Sequence, residues 1–239
     1  MQHANIAIFG ASGGLGAAFV RFFAAEPTNT VHAFSRTQVD FALDNVYSQA
    51  IYFLDEDALQ QVALNFSADQ PLDLIIVATG LLHDGELQPE KSLRQLSVEN
   101  FEKSFLVNTI GPAMVAKHLL PKLSKDKRAV FAVLSARVGS ISDNRLGGWY
   151  AYRAAKAALN MLIKSISIEV ARRQKQAIIV GLHPGTVNTK LSAPFQSRVP
   201  SGGLFTTDYA VQQLATVLDG LEVEDTGKVF AWDGQQVPS

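Results

Sequence analysis

Residues 6–20 read IAIFGASGGLGAAFV, which joins a short apolar strand to a glycine-rich turn and the start of an apolar helix. Glycine tolerates positive φ angles and lets the backbone approach a ligand closely. The free N–H groups and the dipole at a helix N-terminus stabilise a pyrophosphate. The unit therefore predicts dinucleotide binding, although a tight turn that binds nothing is the alternative. The predicted binding residues are Gly10, Ser12, Gly13, Gly14, Leu15 and Gly16.

The rest of the chain repeats this alternation of strand and helix. Apolar runs typical of buried parallel strands occur at Ile6–Phe9, Val31–Phe34, Ile51–Leu54, Leu74–Ala78, Ala129–Leu134, Ala177–Leu182 and Val229–Ala231. Helical periodicity occurs at Leu15–Ala25, Asp57–Phe66, Val98–Leu123, Tyr150–Arg173 and Asp208–Leu221. This order predicts an α/β fold with one doubly wound Rossmann-type domain, in which helices flank a seven-stranded parallel sheet. We expect residues 1–239 to form that single domain.

Composition narrows the classes of function. The chain has 21 Lys and Arg against 22 Asp and Glu, so it offers no basic surface for nucleic acid or an anionic membrane. It has no cysteine, and its five histidines match no metal-ligand spacing. The sequence also lacks a signal peptide pattern and a run of about eighteen apolar residues. We therefore expect a cytoplasmic protein without a bound metal, acting on a small molecule.

The end of the second predicted strand bears on cofactor choice. An NAD-binding domain often has an acidic residue there for the ribose hydroxyls, whereas this chain has Ser35-Arg36. The planar cation of Arg36 suits a 2′-phosphate, and Ser35 offers a hydroxyl donor. The pattern favours NADP(H), with NAD(H) as the alternative. Asp55 is a candidate acceptor for the adenine amino group or, equally, the N-cap of the next helix.

Tyr152 and Lys156 lie four residues apart, which places them on one face of a helix. A phenol with a pKa of about 10 exchanges protons poorly at neutral pH, and a nearby cation favours its phenolate. Lys156 supplies such a cation and can also hydrogen-bond a nicotinamide ribose. The pair predicts a proton-transferring tyrosine assisted by a lysine.

These motifs resemble the short-chain dehydrogenase/reductase family over nearly the whole chain. Thr79-Gly80 is similar to the end of the family's Asn-Asn-Ala-Gly element, with Val77 and Ala78 in place of both asparagines. Asn108 matches a helix asparagine, which the resemblance implies holds a water in a proton relay from Lys156. Tyr152 and Lys156 match the catalytic pair.

The segment from His183 to Thr189 resembles the family's Pro-Gly element. The resemblance implies that this element meets the nicotinamide carboxamide and opens into a substrate loop at about residues 185–205. The binding residues implied are Pro184, Gly185, Val187 and Thr189. Gly139-Ser140-Ile141, Gly147-Gly148 and Tyr150-Ala151-Tyr152-Arg153 look most like the C-factor and carbonyl-reductase-type members.

One position departs from the family pattern. The family usually has Ser-Ser at the end of the fifth strand, where the second serine orients the substrate carbonyl, but this chain has Ser135-Ala136. Ser140, twelve residues before Tyr152 on a glycine-led turn, is our candidate for that hydroxyl. Ser135 is the alternative.

The sequence thus predicts an NADP(H)-dependent oxidoreductase that transfers hydride between the cofactor and a carbonyl or alcohol substrate. A cofactor-binding regulatory protein of the C-factor type is the first alternative, because fold does not fix function. An isomerase or epimerase with tightly held cofactor is another. Leu159, Leu162, Ile163 and Ile166 form an apolar stripe that packs either inside the monomer or across the long-helix interface of a homodimer or homotetramer.

Overall fold

The computed structural model describes residues 1–239, apart from the side chain of Arg198. Its strands are β1 (Asn5–Phe9), β2 (Thr30–Ser35), β3 (Val46–Ala50), β4 (Leu74–Val77), β5 (Ala129–Leu134), β6 (Ala177–His183), β7 (Thr186–Val187), β8 (Leu204–Phe205) and β9 (Val229–Ala231). Seven of them form one sheet in the order β3-β2-β1-β4-β5-β6-β9, and every pair is parallel. The predicted seven-stranded doubly wound fold is confirmed.

Six α-helices accompany the sheet. They are α1 (Gly14–Ala24), α2 (Glu56–Leu64), α3 (Val98–Phe105), α4 (Gly111–Leu119), α5 (Tyr150–Val170) and α6 (Thr207–Gly220). Side chains of α1 and α6 pack with one face of the sheet, and those of α2, α4 and α5 pack with the other. Both faces of the sheet are therefore buried, as its continuously apolar strands require.

Three of the four residues in the apolar stripe on α5 pack within the monomer. Leu159 and Ile163 are buried in the core, and Ile166 packs against it. The large apolar side chains that α5 exposes are Met161 and Ile168. Of the two alternatives from the sequence, packing inside the monomer therefore holds for Leu159, Ile163 and Ile166.

The prediction of the third strand was wrong. The strand is Val46–Ala50 rather than Ile51–Leu54. It lies at the edge of the sheet, where its side chains are half-buried or exposed, so it lacks a continuous apolar run. Ile51 and Phe53, which suggested a strand, are buried just after it.

The predicted helix Val98–Leu123 is not uniform. α3 passes into a π-helical turn at Leu106–Ile110, and α4 then ends in a 3-10 turn at Leu120–Lys122. Turns of the π type occur mostly inside α-helices and often at functional sites. Periodicity alone gave one helix because the chain path remains helical throughout.

Within the part of the chain that the structure describes, no helix is long and apolar enough to cross a membrane. The same residues contain no group of three His, Asp or Glu side chains arranged to hold a metal ion.

Candidate active site

The glycine-rich turn links β1 to α1. Gly10 has a φ of +85°, and a β-carbon there would lie 3.0 Å from backbone atoms of Ala78 and Thr79. A side chain on Gly16 would overlap the carbonyl of Gly10. Both glycines are therefore required for packing, whereas Gly13 and Gly14 expose their backbone where the helix begins.

A cleft of about 420 Å³ opens beside this turn, along the carboxyl ends of β1, β2 and β4. Ligands of doubly wound sheets bind at this edge, where the strand order reverses. The structure brings seven of the predicted cofactor-binding residues together in its wall: Gly10, Ser12, Gly13, Ser35, Arg36, Thr79 and Gly80. The other ten predicted cofactor-binding residues do not line this wall.

The cleft has features that suit a phosphorylated nucleotide. No side chain caps the N-terminus of α1, so the first-turn N–H groups remain available to an anion. The hydroxyl of Thr79 is buried in the wall and has no hydrogen-bond partner among the described residues. A bound ligand with a polar group would satisfy that hydroxyl.

The far end of the cleft is formed by the Ser35-Arg36 pair. Arg36 is exposed and lines the cleft. The hydroxyl of Ser35 already donates to the carbonyl of Thr37 at 2.7 Å. Arg36 is therefore the residue of the pair that can donate to a ligand in the cleft. Asp55 accepts a hydrogen bond from the N–H of Ala58 at 3.1 Å and caps α2, as the alternative interpretation held.

Tyr152 and Lys156 meet on the first turns of α5. The Lys156 ammonium nitrogen lies 5.8 Å from the centre of the Tyr152 ring and donates to the carbonyl of Leu134, at the end of β5, at 2.9 Å. A side chain on Gly139 would press on the backbone of Lys156. The glycine therefore lets the chain after β5 pack closely against the pair.

Burial shifts both groups toward their neutral forms. It lowers the pKa of the Lys156 ammonium to about 7 and raises the pKa of the Tyr152 phenol. The raised pKa is opposite to the lowering expected from a neighbouring cation. Tyr152 thus keeps its proton at neutral pH, which is the state that a proton donor needs.

The two candidate serines differ in what their hydroxyls do. Ser135 donates to Oδ1 of Asn160 at 2.6 Å. Ser140 is buried, and its oxygen accepts from the N–H of Asp143 at 3.1 Å. Its hydroxyl proton has no acceptor among the described residues.

Asn108 is fully buried in the π-helical turn. Its side chain accepts from the N–H of Leu81 at 3.0 Å and donates to the carbonyl of Leu81 at 2.8 Å. The next residue, Thr109, donates to the carbonyl of Ala155 at 2.8 Å. The turn therefore joins the cleft wall beside Gly80 to the helix that carries Lys156.

The Pro-Gly element follows β6 and begins the predicted substrate loop. Gly185 has a φ of +76°, and a β-carbon there would lie 2.6 Å from the ring of Phe205. Val187 pairs with Phe205 in the short parallel sheet of β7 and β8. This pairing closes the loop at its two ends and places Thr189 beside Gly14.

The loop folds back over the residues before Tyr152. The ring of Phe195 lies 4.9 Å from that of Trp149, and Trp149 lies 6.4 Å from Tyr152. His83 approaches the ring of Phe195 and hydrogen-bonds the carbonyl of Lys190 at 3.0 Å. Aromatic side chains from three segments thus form a chain of contacts that ends at Tyr152.

A family model described as short chain dehydrogenase matches residues 4–199. The chain belongs to this family. The fold and the cleft with its glycine-rich turn agree with the resemblance that the sequence motifs suggested.

Other short-chain dehydrogenases and related proteins resemble the chain over different lengths. The C-signal of Myxococcus xanthus is 33% identical over 147 residues, which cover 62% of this chain and 83% of that protein. The NADPH-bound carbonyl reductase from chicken fatty liver has a TM-score of 0.84 at 22% identity, covering 100% of this chain and 95% of that chain. The carbonyl reductase Sniffer of D. melanogaster has a TM-score of 0.83 at 22% identity, covering both chains fully. The two structures show a common fold.

Several residues of this short-chain dehydrogenase's site were not predicted. Tyr52, Phe53, Lys103 and Val107 line the cleft, and Phe195 lies above Trp149. Val107 adjoins Asn108, so the motif around Asn108 could have indicated that Val107 lines the cleft. Phe195 lies in the predicted substrate loop, whereas Tyr52 and Phe53 lie in the segment wrongly predicted as the third strand. Only the fold brings Tyr52, Phe53 and Lys103 to the cleft.

Proposed function

We propose that the chain catalyses NADP(H)-dependent hydride transfer between the cofactor and a carbonyl or alcohol substrate. The observation that carries this proposal is the pairing of Tyr152 with buried Lys156 at the edge of the sheet where the cleft opens. Family membership supports an oxidoreductase, and the position of Arg36 supports the choice of NADP(H).

The cleft supports a division of roles in cofactor binding. The backbone of Ser12 and Gly13 would hold the pyrophosphate, and Arg36 would hold the 2′-phosphate. Pro184, Gly185, Val187 and Thr189 would border the nicotinamide end, opposite Gly14. When bound, the cofactor supplies or accepts the hydride.

The catalytic residues transfer the proton that accompanies the hydride. In reduction, Tyr152 donates its proton to the carbonyl oxygen, and its protonated state at neutral pH suits that step. Lys156 stabilises the resulting phenolate. Asn108 holds the wall between the cleft and α5, and a water carried there would return a proton to Lys156.

The free hydroxyl proton of Ser140 supports its role in orienting the substrate. A donor aimed at the carbonyl oxygen stabilises the negative charge that develops there. Ser135 is less suited because its proton already bonds to Asn160.

The substrate side of the site is aromatic. Trp149 and Phe195 flank the approach to Tyr152, and aromatic and apolar walls are usual in small-molecule sites. We therefore propose an uncharged apolar aldehyde or ketone as the substrate class.

The exposed apolar residues of α5 support a homodimer or homotetramer through the long helices. Met161 and Ile168 are 65% and 51% exposed and lie two turns apart on one helical face. Sedimentation of the wild type and of Met161→Lys tests this, since the proposal expects the variant to dissociate. A wild-type monomer would contradict it.

The experiment that tests the function follows NADPH absorbance with apolar aldehydes and ketones. Turnover preferring NADPH to NADH supports the proposal. Tight NADPH binding without turnover would instead favour a regulatory protein. The similarity to C-signal is the observation that favours this alternative.

A further inference from the structure

One buried acidic side chain lies outside the site described so far. Glu90 belongs to the irregular segment between β4 and α3, and only 2% of its surface is exposed. Its Oε2 accepts a hydrogen bond from the N–H of Ala151 at 3.2 Å. Its Oε1 accepts from the side-chain amide of Asn100 on α3 at 3.4 Å. Burying a carboxylate without such hydrogen bonds costs considerable free energy. These two hydrogen bonds therefore stabilise the Glu90 side chain in its buried position.

Helix α5 has no N-terminal cap of its own. Trp149, at its N-cap, forms no side-chain cap bond, and the first turn contains no acidic residue. Trp149 has a φ of +51° and follows two glycines that also have positive φ angles, Gly147 and Gly148. A bulky residue in this conformation is strained and persists only where surrounding contacts impose it.

Glu90 supplies the contacts that α5 lacks. Its backbone carbonyl accepts from the N–H of Trp149 at 2.5 Å, and its carboxylate accepts from Ala151. The negative charge also lies at the positive end of the helix dipole. Trp149 and Ala151 are therefore both held by one residue, directly before Tyr152.

Arg153 holds the same turn from the other side. Its Nε donates to the carbonyls of Gly147 and Gly148 at 3.2 and 3.1 Å. The left-handed turn is therefore clamped between a buried carboxylate and a guanidinium. Tyr152 lies in the sequence between Ala151, which Glu90 holds, and Arg153.

We propose that Glu90 is a positioning residue that caps α5 and fixes the place of Tyr152. The inference rests on the proposed function, in which Tyr152 transfers the proton. A displacement of about 1 Å is enough to lower turnover by roughly a hundredfold. Glu90 thus acts on the reaction through Tyr152 without touching substrate or cofactor.

The test compares Glu90→Ala and Glu90→Gln with Glu102→Ala, which removes an exposed carboxylate from α3. Glutamine keeps a side-chain acceptor for Ala151, whereas alanine removes it. We expect kcat of Glu90→Ala to fall about tenfold to a hundredfold while KM for NADPH stays within about twofold. Glu90→Gln and Glu102→Ala keep most of the wild-type kcat.

Tryptophan fluorescence provides a second readout. In a Trp232→Phe background Trp149 is the sole tryptophan, so its emission reports on the helix end. We expect Glu90→Ala to shift that emission and Glu90→Gln to restore it.

Two results would overturn the Glu90 proposal while the wild type is active. One is an unimpaired Glu90→Ala, and the other is a joint fall of kcat, NADPH affinity and Tm that glutamine does not rescue. A wild type that binds NADPH but reduces no carbonyl would instead overturn the proposed function, and the catalytic role of Glu90 with it.

Discussion

The backbone of Gly14 faces the methyl group of Thr189. A β-carbon on Gly14 would lie 2.9 Å from Thr189 Cγ2, closer than two carbon atoms normally approach. Gly14 begins α1, and Thr189 lies in the loop after β7. The glycine-rich turn and the Pro-Gly element, which are 175 residues apart, therefore meet at the proposed cofactor site.

This contact predicts a specific rescue. Gly14→Ala would push Thr189 aside, and overpacking of this kind costs about 1–3 kcal/mol, which corresponds to NADPH binding roughly fivefold to a hundredfold weaker. Thr189→Ser removes the methyl group and keeps the hydroxyl, so the double variant should regain most of the affinity. Fluorescence titration with NADPH measures the affinity of each variant. A double variant as weak as Gly14→Ala would show that the methyl contact is not the cause.

Arg36 is predicted to select the phosphorylated cofactor. Arg36→Ala removes a charge-assisted hydrogen-bonding group, worth about 1.5–3 kcal/mol, so kcat/KM for NADPH should fall roughly tenfold to a hundredfold while that for NADH changes little. Arg172→Ala, at an exposed arginine beyond the end of α5, is the control. Equal losses with both cofactors would contradict the role.

The parts of the site that the sequence predicted are those with local signals. The strand-glycine-helix unit and the Tyr152-Lys156 spacing each lie within a short segment, so periodicity and glycine chemistry were enough. The edge strand β3 gave no such signal, because half-exposed side chains remove the apolar run. Phe195 lies in the predicted substrate loop, although no local pattern marks it within that loop. Glu90 reaches the start of α5 only through tertiary packing, and no local pattern marks it.

Phe195 is predicted to influence substrate size. Its ring contacts Trp149, which in turn contacts Tyr152, so Phe195→Ala opens space beside the proposed carbonyl site. We expect the ratio of kcat/KM for a bulky ketone to that for a small one to rise about tenfold, since a few apolar contacts are worth about 1–3 kcal/mol. Competition between the two ketones measures this ratio, with Phe22→Ala on exposed α1 surface as the control. An unchanged ratio would place Phe195 outside the substrate site.

His32 is predicted to make stability depend on pH. Burial lowers its pKa from 6.5 to about 4, and its Nε2 lies 2.9 Å from Oδ1 of Asn5. Between pH 6.5 and pH 4 the unfolded chain therefore binds more protons than the folded chain, so stability is lost as the pH falls through this window.

Thermal denaturation from pH 7 to pH 4.5 checks this prediction. We expect Tm of the wild type to fall over that range and His32→Gln to show a smaller fall. Part of the dependence remains because burial also lowers the pKa of His183 to about 4. His3→Gln, at an exposed histidine, is the control. A fall in His32→Gln as large as in the wild type would contradict the assignment.

The central claim is that Tyr152 transfers the proton in an NADPH-dependent carbonyl reduction. The most direct measurement compares NADPH oxidation by the wild type and Tyr152→Phe, which removes only the hydroxyl, alongside NADPH affinity. The account predicts that kcat falls about a hundredfold to ten-thousandfold in Tyr152→Phe while NADPH binds almost as tightly. Turnover by Tyr152→Phe at the wild-type rate would contradict it.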